Sequence, residues 1–177
     1  MDLNTHRAFT LVELMVVLAL VAIIAGLAAP SLAQMHGKQQ LGSFQDDLLH
    51  LIVQARQHAL VNRSRVTLCA LDSQARCVSL KSGMLTSFVD ANGNRALDPG
   101  ELRLRTLAIP AHMNVDWVGM KPIHSLHFSA QGNTFLSSGS FTLCHQAGLG
   151  RYGKLTINPQ GRVRAERHAQ DCPLDQG

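Results

Sequence analysis

Apolar positions change their rhythm twice along the chain. From Phe9 to Ala29 they form an almost continuous run whose one formal charge is Glu13, and the next Lys, Arg, Asp or Glu is Lys38. A run of about 20 such residues is what a helix needs to cross a bilayer. It is longer than the core of a cleaved secretory signal, about 7–15 residues. Beyond Pro30 the pattern turns amphipathic. Leu41, Phe44, Leu48, Leu51 or Ile52, Ala55 and Ala59 recur at steps of three and four, with Gln45, Asp46, Asp47 and Arg56 between them. This spacing predicts one long helix from about Phe9 to about Asn62, lipid-facing in its first half and packed on a head in its second. Pro30 has no N–H to give the carbonyl of Gly26, so a kink or unwinding is expected over Gly26–Pro30.

After Asn62 the helical spacing gives way to short runs separated by turn signals. Strand-like runs fall at Arg65–Leu71, Cys77–Lys81, Leu85–Asp90, Glu101–Leu107, Asn114–Val118, Ser125–Ser129, Ser140–His145, Lys154–Asn158 and Arg162–Arg167. Gly, Asn and Pro clusters at 92–100, 131–139 and 158–161 supply turns between them. The expected architecture is α+β: a long N-terminal helix, transmembrane in its first half, on an antiparallel β-sheet head. The head spans residues 37–177, helical to about 62 and β-rich beyond.

Composition sharpens this picture. Charged residues are 16% of the chain, against about 25% in a usual soluble domain. With the apolar run, this argues against an ordinary cytosolic enzyme, and the patterned remainder excludes a disordered chain. No Ser/His/Asp or Cys/His arrangement has a supporting motif, so no catalytic role and no cofactor are expected. The net charge of +4 is concentrated between residues 146 and 168, where Arg151, Lys154, Arg162, Arg164 and Arg167 face a single acid, Glu166.

Four cysteines beside a membrane-length segment suggest an oxidising destination for the head. Cys69 and Cys77 flank a hairpin, Ala70 to Arg76, while Cys144 lies on a late strand and Cys172 near the C-terminus. Pairing 69 with 77 and 144 with 172 is favoured among the three possible connectivities, and tight CxxC spacing of structural zinc is missing. Asp90, Asn92, Asn94, Asp98 and Glu101 occupy positions 1, 3, 5, 9 and 12 of a calcium-loop pattern. However, Arg95 stands where that loop needs Gly, and strands flank it instead of helices, so turn chemistry is the preferred reading and no metal is assigned. His124 and His127, three apart on a strand, point to opposite faces and are read as surface residues.

Asn158-Pro159-Gln160-Gly161 has the residues of a type I turn. In a strand leaving that turn, Arg162 and Arg164 project on one face about 6–7 Å apart, close to the spacing of phosphates along a nucleic-acid strand. Lys154 on the partner strand, Arg151 before it and Arg167 at the strand end are expected to widen the patch. Glu166 shares the Arg162/Arg164 face and weakens it. The alternative is a charged edge strand protected against aggregation.

The segment Arg7-Ala8-Phe9-Thr10-Leu11-Val12-Glu13-Leu14-Met15-Val16-Val17 resembles the class III signal of type IV pilins and pseudopilins, with Ala8 where that signal usually has Gly. The resemblance implies a leader of residues 1–8, cleavage between Ala8 and Phe9 by prepilin peptidase, and N-methylation of Phe9. It makes Glu13 the fifth mature residue, followed by a filament-core helix to residue 36. A carboxylate inside an apolar helix costs about 2.5–3.5 kcal/mol on insertion scales. Pairing Glu13 with the Phe9 amine of a neighbouring subunit makes both charges less costly in lipid.

Other segments resemble the GspH/FimT family of minor pilins and pseudopilins: "LLHLIVQARQHALVNRSRVTLC", "FVDANGNRALDPGE", "LHFSAQG" and "KLTINPQGRVR". The family implies major and minor pilins as partners. It also implies an inner-membrane anchor with a periplasmic head before assembly, then a place in a pilus reaching the cell surface. In FimT-type minor pilins a C-terminal GRxR motif is associated with DNA binding in natural transformation, and Gly161-Arg162-Val163-Arg164 matches it. The implied function is sequence-independent DNA capture for uptake. The alternatives are a structural minor pilin that primes or caps the filament, and a GspH-like pseudopilin of type II secretion.

Overall fold

The computed structural model describes residues 11–79, 83–120, 124–146, 152–168 and 172. Helix α1 runs from Leu11 to Asn62. Its backbone stays helical through Gly26–Pro30, so the helix does not unwind there. A proline removes one donor from the ladder, and the turns on either side hold the helix together. The first half of α1 lies uncovered: Leu11 and Leu27 are 74% and 75% exposed. This helix is long and apolar enough to cross a membrane. The second half is covered along the stripe set by its spacing, with Leu41, Phe44, Leu48, Leu51, Ile52, Ala55 and Ala59 all buried.

Among the described residues the head has nine strands: β1 (Val66–Leu71), β2 (Cys77–Val78), β3 (Met84–Val89), β4 (Arg103–Ala108), β5 (Met113–Gly119), β6 (Leu126–Phe128), β7 (Gly139–His145), β8 (Gly153–Ile157) and β9 (Val163–Arg167). They form two antiparallel sheets. One has the order β2-β1-β3-β4 with β6 also paired to β1, and the other β5-β7-β8-β9. Helix α1 packs against both. Phe88 and Phe128 come to the shared core from the first sheet, and Phe141, Leu143 and Leu155 from the second.

Each strand falls on one of the expected runs, with ends moved by a residue or more. The fourth starts at Arg103 because Asp98, Pro99, Gly100 and Glu101 complete a turn, with the Glu101 N–H donating to the Asp98 carbonyl at 3.1 Å. The second stops at Val78, and residues 80 and 81 of its expected span lie outside the described residues. Cys69 is bonded to Cys77 across the β1–β2 hairpin, and Cys144 on β7 to Cys172. The second bridge closes a loop that contains β8 and β9, which in the chain-entropy account removes about 3.5 kcal/mol of unfolded-state freedom.

Candidate nucleic-acid interface

The β8–β9 hairpin is made by its turn. The N–H of Gly161 donates to the Asn158 carbonyl at 2.9 Å. The Asn158 side-chain oxygen takes the N–H of Arg162 at 2.8 Å. Gly161 has φ +74°, and a Cβ there would collide with the carbonyl oxygen of Gly132. Glycine is therefore required twice over, by conformation and by space. From the helix, the Arg56 guanidinium clamps the turn, donating to the carbonyls of Gly132 at 2.8 Å and Gln160 at 3.0 Å.

Past the turn, the ladder sorts side chains by parity. Thr156 pairs with Arg164 and Lys154 with Glu166, and residues opposite each other share a face. Gly153, Leu155 and Ile157 are buried against the core while Lys154 and Thr156 are half-exposed. The outer face of the hairpin therefore carries Lys154, Thr156, Arg164 and Glu166. Arg162, one residue before β9, is exposed at the mouth of the turn. It lines a groove with Val53, Arg56, Gln57 and Leu60 of α1. Among the described residues, Arg162 and Lys154 carry no ion pair, while Arg164 Nε lies 2.9 Å from Glu166 Oε1.

Arg167 does not widen this patch. Three positions from Arg164, it lies on the opposite face of β9, where its Nε donates to Gln45 Oε1 at 3.2 Å and its Nη2 reaches Asp46 at 3.2 Å. Gln45 is buried, and its Nε2 donates to the carbonyl of Glu166 at 3.0 Å. Gly153 leaves room for it, since a Cβ there would approach the Gln45 amide at 3.0 Å. Arg167 is thus a structural cation that ties β9 to α1. Arg151, Ala8 and Phe9 lie outside the described residues. Glu13 sits in the first described turn of α1.

The Asp90–Glu101 loop turns most of its side-chain oxygens onto its own N–H groups, although the buried Asp90 Oδ1 has no hydrogen-bond partner among the described residues. Asp98 Oδ2 accepts from the side-chain amides of Asn92 and Asn94, both at 2.8 Å. Glu101 takes the N–H groups of Ala91 and Asp98 at 2.9 and 3.1 Å. Buried Asp90 accepts from the Thr67 hydroxyl at 2.7 Å. Among the described residues no group of three or more His, Cys, Asp or Glu is arranged to hold a metal ion. These residues act as Asx-type turn formers.

His124 is exposed, but His127 is half-buried on β6, unlike the surface expectation, because the loop after β6 folds back over it. Ser137 Oγ accepts the His127 N–H at 3.0 Å and donates to its carbonyl at 2.9 Å. Burial, then the nearby Arg95 and Arg65, hold the His127 pKa below the ordinary 6.5. Burial and then His112 hold His145 below it as well, the two rings lying 5.3 Å apart.

Residues 45–161 match the family described as type II transport protein GspH, and residues 3–29 match the prokaryotic N-terminal methylation motif. Among solved structures, the type IV minor pilin FimU of Pseudomonas aeruginosa PAO1 is similar in two crystal forms. One is 20% identical with a TM-score of 0.56, covering 76% of this chain and 94% of that one. The other is 21% identical with a TM-score of 0.55, covering 75% and 98%. The minor pseudopilin EpsH from the Type 2 Secretion System of Vibrio cholerae is 9% identical, with a TM-score of 0.54, covering 73% of this chain and 98% of its own. At these identities the likeness is one of fold. No curated protein matches the sequence.

Proposed function

The chain belongs to the GspH family, and from that premise we propose that it is a minor pilin of a type IV pilus that binds extracellular DNA for uptake in natural transformation. It is anchored by the first half of α1 in the inner membrane, with its head in the periplasm. Prepilin peptidase cuts between Ala8 and Phe9, Phe9 is methylated, and Glu13 pairs with the Phe9 amine of a neighbouring pilin as the subunit enters the filament. The methylation motif over residues 3–29 supports this part.

The observation that carries the DNA reading is the uneven use of cations on one hairpin. Arg167 is tied into the helix. Lys154 and Arg162 face water with no ion pair among the described residues, and Arg164 is 82% exposed beside Glu166. Solvent-facing cations on a hydrogen-bonded hairpin suit phosphates, and phosphate contacts are sequence-independent. In cells, Arg162→Gln with Arg164→Gln is expected to lower transformation while piliation stays near normal. Unchanged transformation in piliated cells would reject the DNA role.

The second reading is a pilin or pseudopilin whose role is purely structural, including one in type II secretion. The family description, type II transport, favours it. Under that reading the double variant changes neither transformation nor filament assembly. Both readings share the processing step, which mass spectrometry of assembled subunits tests: Phe9 as the mature N-terminus supports it, and an intact Met1 contradicts it.

A further inference from the structure

The cations on the outer face of the hairpin are not equivalent, because one is already engaged. Glu166 reaches Arg164 Nε with Oε1 at 2.9 Å, and its other oxygen, Oε2, lies 3.4 Å from His168 Nε2. The second contact is close enough for an ion pair when the imidazole is protonated, although it makes no hydrogen bond in this orientation. The His168 ring is itself stacked on Tyr152, with centroids 4.4 Å apart and planes 15° apart. Lys154 stands directly across the ladder from Glu166. The backbone under Glu166 is pinned as well, since its carbonyl accepts from Gln45 at 3.0 Å. A carboxylate therefore already sits on the Arg164 guanidinium, where an incoming phosphate would need to bind.

We propose that Glu166 is a built-in competitor for phosphate. DNA binding exchanges the Glu166 carboxylate for a backbone phosphate at Arg164, and the carboxylate keeps the affinity of each subunit low and the contact reversible. The inference rests on the DNA reading above and concerns regulation of the same face. Its size follows from the exposure of the pair. An exposed ion pair shifts an equilibrium by up to about fivefold, so the carboxylate tunes binding and does not block it.

The test uses the full chain in detergent micelles and a labelled DNA duplex at fixed salt. Glu166→Gln is expected to bind about two- to fivefold tighter than wild type. The same change made on top of Arg164→Gln is expected to give no gain, because Glu166 acts through Arg164. Asp116→Asn is the control for net charge. Asp116 lies on the same face through the Asp116–Thr142–Lys154 ladder, yet makes no ion pair with these cations among the described residues. It is expected to change binding by less than about 1.5-fold, as a surface charge outside the contact. Glu166→Gln binding no tighter than wild type overturns the proposal. So does an equal gain in the Arg164→Gln background or in Asp116→Asn. If instead Arg162→Gln with Arg164→Gln binds like wild type, the DNA reading itself falls.

Discussion

Arg164 and Arg167 stand three positions apart on β9, and the pleat sends them to opposite faces of the same hairpin. On the inner face, Arg167 meets a buried glutamine and an aspartate from α1. On the outer face, Arg164 meets only Glu166 of its own strand and is 82% exposed. The inner face is fixed to the helix through buried Gln45, while the Arg167–Asp46 pair itself is exposed at 64% and 59%. The outer face presents its charges to solvent, where they contribute little to stability. Fold and proposed function therefore occupy different sides of one two-stranded element and are separable by substitution.

The inner face should be the costly one to break. Leu155→Ala removes a side chain with no exposure, and is expected to destabilise the head by about 2–5 kcal/mol, read by denaturant unfolding. Gln45→Ala is next. It leaves the Glu166 carbonyl and the Arg167 guanidinium without a partner they hold at 3.0 and 3.2 Å, and is expected to cost about 1–3 kcal/mol. If it proved as mild as a surface substitution, the helix clamp on β9 would be a contact without weight.

A smaller effect is expected from pH. His127 and His145 are both held below the ordinary 6.5, each by burial first. The unfolded chain thus takes up their protons before the folded one as pH falls. Stability is fully present above about pH 6.5 and declines on acidification through the folded values. The melting temperature should drop between pH 7.5 and 5, and less so in a His127→Gln/His145→Gln variant. An equal drop in that variant would assign the acid sensitivity to other groups.

Much of this organisation was legible in the chain because the signals are periodic and local. The stripe from Leu41 to Ala59 is a helical repeat, and the same seven residues are buried. The turn at Asn158–Gly161 carries its own chemistry. Arg167 ends β9 as expected, and counting by twos from Arg164 puts it on the other face. Its partners Gln45 and Asp46 lie over 120 residues away in sequence, and no local pattern links them to β9. The clamp by Arg56 was missed for the same reason, since it joins the helix to Gly132 and Gln160 through backbone carbonyls, which carry no residue-type signal.

The most direct test of the central claim is the salt dependence of DNA binding by the full chain in detergent. Each phosphate neutralised on a duplex adds about 0.9 to the magnitude of the slope of log affinity against log salt. With Arg162, Arg164 and Lys154 engaged and Arg167 held by the helix, the slope should be about −3. Arg162→Gln with Arg164→Gln should reduce its magnitude by about 2, with the melting temperature unchanged. Affinity and slope equal to wild type in that variant would contradict the account and leave the outer face a charged sheet edge.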